Sequence, residues 1–262
     1  MSRLPEWQSD GWGYRARIGL LTPHTDIVPE GEFHALSPKG VSVHAARVPL
    51  GWQRGPEPPP IGLDAVRAFA EPPDVDVAVE LLARAPLNAI AYAFTSSAYL
   101  LGPKGDDALR RRLEQRSGGI PVVLPCQATA LALKALGAKS LALINPPWFP
   151  AELSEKGATY FRDLGIQVPF SASATDLAPN PMSVGMENVY DWVREHVPDA
   201  AETVFIGGGG LRAIGAVKAL EETLGRPVLT ANQVAFWRAL RLANVNDDIE
   251  GYGQIFACQP SA

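Results

Sequence analysis

Four consecutive glycines, Gly207–Gly210, follow the apolar run Thr203–Ile206 and precede a helical pattern. Glycine permits positive φ and lets a ligand approach the backbone closely. A row of free N–H groups at the start of a helix is an anion site. A tight turn without a ligand is the alternative, although each glycine costs conformational entropy on folding. G-G-G-G-L-R lacks the G-x-G-x-x-G spacing of a dinucleotide fold and the lysine of a phosphate loop.

Phe94-Thr95-Ser96-Ser97 forms a second loop of interest after the apolar segment Ala89–Phe94. Its hydroxyls can donate to a carboxylate; capping of the next helix would explain one of them. Cys126 opens a helical pattern after a strand, where the helix N-terminus lowers a thiol pKa. A buried, inert cysteine is the alternative. Cys258 lies four residues from the end and reads as incidental. His24 and Asp26, in TPHTD after the first strand, could serve as acid or base, or form a turn or cap. His34 and His44 read as structural, and His196 suits a helix end. No His/Asp/Glu spacing suggests a metal, and neither C-x-x-C nor G-x-S-x-G occurs.

These loops need elements to hold them. Short apolar runs alternate with helical patterns, which predicts an α/β protein whose parallel sheets are covered on both faces. Strands are expected at Arg17–Leu21, Val41–Val48, Ala89–Phe94, Pro121–Leu124, Leu141–Ile144, Thr203–Ile206 and Pro227–Leu229. Helices are expected at Leu63–Glu71, Val77–Arg84, Asp106–Ser117, Ala128–Leu136, Glu152–Leu164, Met186–His196, Gly215–Leu224 and Val234–Leu242. Asp106 and Asp107 suit a helix N-terminus, and Gly137 a C′ position. The stretch GPEPPPIG at 55–62 reads as a polyproline turn or as a lid over a pocket.

The chain repeats itself. Arg17–Thr25 echoes Leu141–Phe149, Ala89–Ser97 echoes Thr203–Gly210, and PVVLPCQ (121–127) echoes PVLTANQ (227–233), so Asn232 is the counterpart of Cys126. Matched units in the same order indicate duplication into two similar lobes related by a pseudo-twofold axis. The expected lobes are 1–119 plus 230–262, and 120–229. Ligands in open α/β sheets bind beyond the carboxyl ends of strands, so these loops should converge on a cleft between the lobes.

Bulk properties narrow the function. The 262 residues are 47% hydrophobic and 19% charged, as expected of a chain with a substantial core. A net charge of −5 without a basic tract argues against nucleic acid. No apolar run approaches the ~18 residues of a membrane span, and the start lacks the pattern of a signal peptide. Two widely spaced cysteines fit a cytoplasmic location.

At the level of motifs the chain resembles the aspartate/glutamate racemase superfamily, nearest its maleate isomerase and arylmalonate decarboxylase branch. IGLLTPHTDIVPEGEF resembles that branch's opening Pro-x-x-Asn-x-x-x-Glu segment, with Pro23 kept, Asp26 at the asparagine and Glu30 at the glutamate. AFTSSAYLLG resembles the first catalytic loop, with Phe94 at the cysteine or glycine position and Thr95 and Ser96 retained. FIGGGGLRAIG resembles the second loop, with Gly208 where a cysteine is expected. NPPWFPAELSEKGATYF resembles the Thr-Pro-Tyr segment, with Trp148 or Phe149 at the tyrosine, and GYGQIF (251–256) resembles the usual C-terminal segment.

This resemblance implies two flavodoxin-like lobes, a site at their interface, no cofactor, a small carboxylic acid as ligand and a homo-oligomer. It also implies that both catalytic cysteines are replaced. Racemases of the superfamily use two thiols, maleate isomerases use one as a nucleophile, and the decarboxylases keep one as proton donor. Two readings follow. One is a decarboxylase, lyase or isomerase in which Thr95, Ser96, the backbone of Gly208, Gly209 and Gly210, and Asn232 bind the substrate, with Cys126, Asp26 and His24 as candidate proton donors. The other is an inactive carboxylate-binding protein that keeps the cleft.

Overall fold

The computed structural model describes residues 10–50 and 62–260. The expected Pro-rich turn or lid at 55–62 therefore lies outside the described residues, apart from Gly62.

Two four-stranded parallel sheets carry the same strand order. In the first, β1 (Ala16–Pro23) runs between β2 (Val41–Val48) and β3 (Ala89–Tyr92), with β4 (Val122–Val123) beyond β3. In the second, β5 (Ser140–Asn145) runs between β6 (Gln167–Ser173) and β7 (Thr203–Ile206), with β8 (Val228–Thr230) beyond β7. Ile18 stands opposite Val43 and Ala89; in the second sheet Leu143 stands opposite Ser171 and Phe205. The three sequence echoes thus occupy matching places: β1 with β5, β3 with β7, β4 with β8. β3, β5 and β7 are buried along their whole length, as a sheet covered on both faces requires.

The covering helices are α1 (Val28–Leu36), α2 (Leu63–Ala70), α3 (Asp74–Leu82), α4 (Thr95–Arg116), α5 (Pro125–Leu136), α6 (Ala151–Asp163), α7 (Met186–His196), α8 (Val217–Leu224) and α9 (Ala231–Leu242). α5 ends at Gly137, φ +72°, as expected of a C′ glycine. α4 contains a break at Gly102, φ +67°, followed by Pro103. Asp106 and Asp107 lie just after that break, near the start of the second helical segment. Asp106 does more than offset a dipole: it is buried and accepts from Tyr160 Oη at 2.8 Å and Gln127 Nε2 at 3.0 Å, joining α4 to α6 and α5.

Three pieces of structure were not anticipated. α1 carries Pro29 in its first turn, where a missing N–H does no harm, and tolerates Gly31. α4 begins at Thr95, well before the expected Asp106. β6, QVPFSAS, is an edge strand with an internal proline and little apolar alternation, which is permitted only at an edge.

The lobes are interlocked. α9 follows β8 of the second sheet but packs against β3 and α1 of the first lobe, and α5 packs against α9. The expected lobe boundary at 120 falls just before β4, which pairs with β3 in the first sheet. At the start of α9, Thr230 and Gln233 form a reciprocal capping box, and Gln233 Nε2 also donates to Tyr252 O. Trp237, fully buried, donates its Nε1–H to Cys258 O at 3.1 Å, so the C-terminal segment is fastened along α9. No helix among the described residues is long and apolar enough to cross a membrane.

Candidate active site

The loops after β1, β3, β5 and β7 meet where the lobes face each other. At their centre is Gly207–Gly210. Gly208 has φ +81°, and a Cβ there would stand 2.3 Å from Pro146 Cγ, so only glycine fits this turn. Gly207 N–H donates to Ile144 O at 2.8 Å, and Gly208 N–H crosses the interface to Thr95 Oγ1 at 3.1 Å. The N–H groups of Gly209 and Gly210 donate to no group among the described residues.

The expected helix does not start directly after the glycines. A 3-10 turn at Ile214–Ala216 intervenes before α8, so the loop itself, not a helix end, presents these donors. The helix end comes instead from α4, whose N-cap Phe94 supplies no side-chain cap and leaves the first-turn N–H groups open. Thr95 and Ser96 are buried in that turn, while the Ser97 hydroxyl bonds Tyr92 Oη at 2.6 Å. Phe94 turns its ring onto Phe69, with centroids 4.3 Å apart, and is part of the core.

Two carboxyls border the loop. Asp26 is half-buried; its Oδ1 accepts from Val28 N–H at 3.0 Å, and its Oδ2 lies 3.0 Å from where a Gly210 Cβ would be. Burial pushes its pKa up to about 6, against the opposing Val28 hydrogen bond and the charge of Arg47. Trp148 Cζ2 and Phe149 Cζ stand 3.6 and 3.7 Å from the Cβ positions of Gly210 and Gly208, forming an aromatic wall. The second carboxyl, Glu32 of α1, is buried. Its Oε1 accepts from the N–H groups of Ala213 and Ile214 at 3.0 and 3.2 Å, and its Oε2 from Asn232 Nδ2 at 2.7 Å. Burial lifts its pKa to about 7, opposed by those hydrogen bonds and aided by the charge of Asp26.

Other residues singled out in the sequence take different places. Pro23 ends β1 and is buried. His24 is exposed, and its Nδ1 accepts from Leu50 N–H at 3.0 Å. Cys126 sits in the first turn of α5 with no exposed surface; burial, aided by the charge of Asp106, pushes its thiol well above the ordinary range, the reverse of the depression expected at a helix N-terminus. Asn232 Nδ2 is occupied by Glu32 and, at 2.8 Å, by Gly209 O, which leaves only its carbonyl oxygen without a partner. Tyr99 Oη and the Asn145 amide are also buried without partners, and they border Gly207 at 2.7 and 3.2 Å from its would-be Cβ. Among the described residues no group of three or more His, Cys, Asp and Glu could hold a metal ion.

Sequence reasoning passed over Glu32 in favour of Glu30, which pairs at the surface with Arg47. The signal was present: the buried positions of α1 are 28, 29, 32, 33 and 36, a helical stripe on which Glu32 is the one charge.

The duplicated α/β fold thus brings two open N–H groups and two carboxyls of raised pKa together where its halves meet. The arylmalonate decarboxylase family profile matches residues 71–256, and the chain belongs to that family. It is 23% identical to a maleate isomerase of Geobacillus stearothermophilus over 92% of this chain and 97% of that one. It is 26% identical to an arylmalonate decarboxylase of Bordetella bronchiseptica over 62% of this chain and 68% of that one. Its fold matches a Nocardia farcinica maleate cis-trans isomerase carrying a covalently bound succinylcysteine intermediate, with TM-score 0.78, 22% identity, and 92% and 98% of the two chains covered. Membership places the chain among enzymes of decarboxylase and isomerase type.

Proposed function

We propose that the protein is a cofactor-independent decarboxylase or isomerase of a small carboxylic acid, working through an enolate-like intermediate with Asp26 as proton donor. One observation carries this reading: the open N–H groups of Gly209 and Gly210 lie beside a half-buried carboxyl with a pKa of about 6. Donors fixed before the reaction stabilise developing negative charge, and this is usually the largest catalytic contribution.

In the decarboxylase form, the substrate's departing carboxylate lies against the aromatic wall of Trp148 and Phe149. The C–C bond breaks, CO₂ leaves, and the electron pair moves into the remaining carboxyl as an enediolate. The loop N–H groups and the hydroxyls of Thr95 and Ser96 hold that charge. Protonated Asp26 gives its proton to the α-carbon and regains one from solvent. In an isomerase form, ionised Asp26 would take the α-proton, the C–H electron pair would move into the carboxyl as an enolate held by the same cradle, and the proton would return to the α-carbon. Phe94 and Gly208 take the two cysteine positions of the family, and the chain's two cysteines, Cys126 and Cys258, are in neither loop. The covalent cysteine intermediate named for the Nocardia relative therefore has no counterpart in this reading. His24, bonded to Leu50, and Cys126, enclosed and hard to ionise, are less suited as donors. A homo-oligomer in the cytoplasm completes the proposal.

The absence of a thiol from both loops favours one other reading, carboxylate binding without turnover. Incubation in D₂O with maleate, substituted malonates, aspartate, glutamate, and hydroxy and keto acids, followed by proton NMR, separates the two. Deuterium next to a carboxyl, or loss of CO₂, is the expected outcome. A folded sample that one of the acids stabilises, with no exchange in any, would establish the binding protein instead.

A further inference from the structure

Glu32 reaches across the interface from α1 and meets the segment after β7 at three points. Two are the N–H groups of Ala213 and Ile214; the third passes through Asn232, whose Nδ2 donates to both Glu32 Oε2 and Gly209 O. Both ends of the segment 209–214 are thus tied to one carboxylate. Ala213, Ile214 and Asn232 are themselves buried, so water cannot replace these bonds cheaply. Beyond the bond from Gly208 N–H to Thr95, little else holds the glycines: Gly209 and Gly210 carry no side chains, and their N–H groups have no partner among the described residues.

We propose that Glu32 and Asn232 act as a positioning unit that fixes the loop 207–214 against α1 and so keeps the Gly209 and Gly210 N–H groups aimed into the interface. The importance of that aim for turnover rests on the function proposed above; the holding of the loop does not. Both act through the loop: the Glu32 oxygens and Asn232 Nδ2 are taken up by protein groups. The chemistry demands a carboxylate facing an amide. An amide at position 32 still accepts from Ala213 and Ile214, but turns a donor toward Asn232 Nδ2. Rotating the Asn232 amide to answer it would bring Oδ1 against Gly209 O, two acceptors face to face.

The test is amide hydrogen exchange of wild type and Glu32→Gln, followed by mass spectrometry of peptides covering 207–214 and the β5 and β7 strands. The expected result is exchange at 207–214 faster by about tenfold or more, with the strands unchanged, because local opening is freed without global unfolding. Asn232→Asp in the Glu32→Gln background restores a bond between the two side chains but places an acceptor against Gly209 O. It should therefore recover melting temperature without recovering loop protection. Unchanged protection at 207–214 in Glu32→Gln, or full recovery in the double variant, overturns the proposal. A variant that fails to fold is replaced by Glu32→Asp, whose shorter arm should give the same local loosening. Malonate titration reads the second half: about a tenfold weaker affinity in Glu32→Gln is expected, and unchanged affinity with a loosened loop would overturn the aiming role. If wild type binds no acid of the panel, the proposed function fails while the exchange data still decide whether the loop is held.

Discussion

Thr95 Oγ1 accepts the Gly208 N–H across the lobe interface at 3.1 Å, tying the first turn of α4 to the glycine loop. Thr95→Val keeps the shape and removes the acceptor, stranding a buried N–H. A fall in kcat/KM of about 100-fold is expected, whereas Thr95→Ser should stay within about threefold of wild type. Initial rates on whichever acid turns over in the D₂O panel check this.

Asp26 must carry a proton to act as donor. Its folded pKa of about 6 lies above the ordinary carboxyl value, so kcat/KM should be level below pH 6 and fall about tenfold per pH unit above it. Asp26→Asn should abolish turnover and still bind malonate. A pH–rate profile that is level from pH 5 to 8 would rule Asp26 out.

Gly208→Cys places a thiol where the proposed reading puts one of the family's cysteines, but should not restore thiol chemistry. The residue sits at φ +81°, and its Cβ would meet Pro146 Cγ at 2.3 Å. The variant should lose about 1–3 kcal/mol of stability, visible as a lowered melting temperature, and gain no turnover.

Cys126 should be silent. It has no exposed surface, and burial holds its thiol in the protonated form. In the native protein, titration with a thiol reagent should find Cys258 alone, with Cys126 appearing only on denaturation. Cys126→Ala should keep activity within about threefold while lowering stability by about 1–2 kcal/mol for the lost packing.

Asp106 couples folding to pH. Its pKa is raised from 3.8 to about 6, chiefly by burial. Its contribution is therefore fully present below pH 3.8 and is lost as pH rises through 6, by at most about 3 kcal/mol. Urea unfolding from pH 4 to pH 7 should show the decline, and Asp106→Asn should make the profile shallower over that window.

The architecture was largely legible because duplication wrote it twice. PVVLPCQ and PVLTANQ mark β4 and β8, and the apolar runs mark the buried strands β3, β5 and β7. What stayed hidden obeys local rules less strictly. β6 needs no strong alternation because it is an edge, and α1 contains a proline and a glycine that a helix tolerates near its start. Of the candidate site, the glycine run and the Thr95-Ser96 pair were marked out by composition. Glu32 did not, because its importance comes from Ala213, Ile214 and Asn232, which are distant in sequence. Cys126 was misleading for a related reason: a helix N-terminus favours a thiolate only where solvent or a charge can reach it, and α5 is packed against α9.

The bond between Glu32 and Asn232 spans 200 positions of chain. On the ribosome, the first sheet can assemble long before α9 emerges, but its final cover and the far anchor of the glycine loop are among the last parts made. A product lacking α9 would carry Asp26, Thr95 and the glycines, but not Asn232, the link that ties Gly209 O to Glu32.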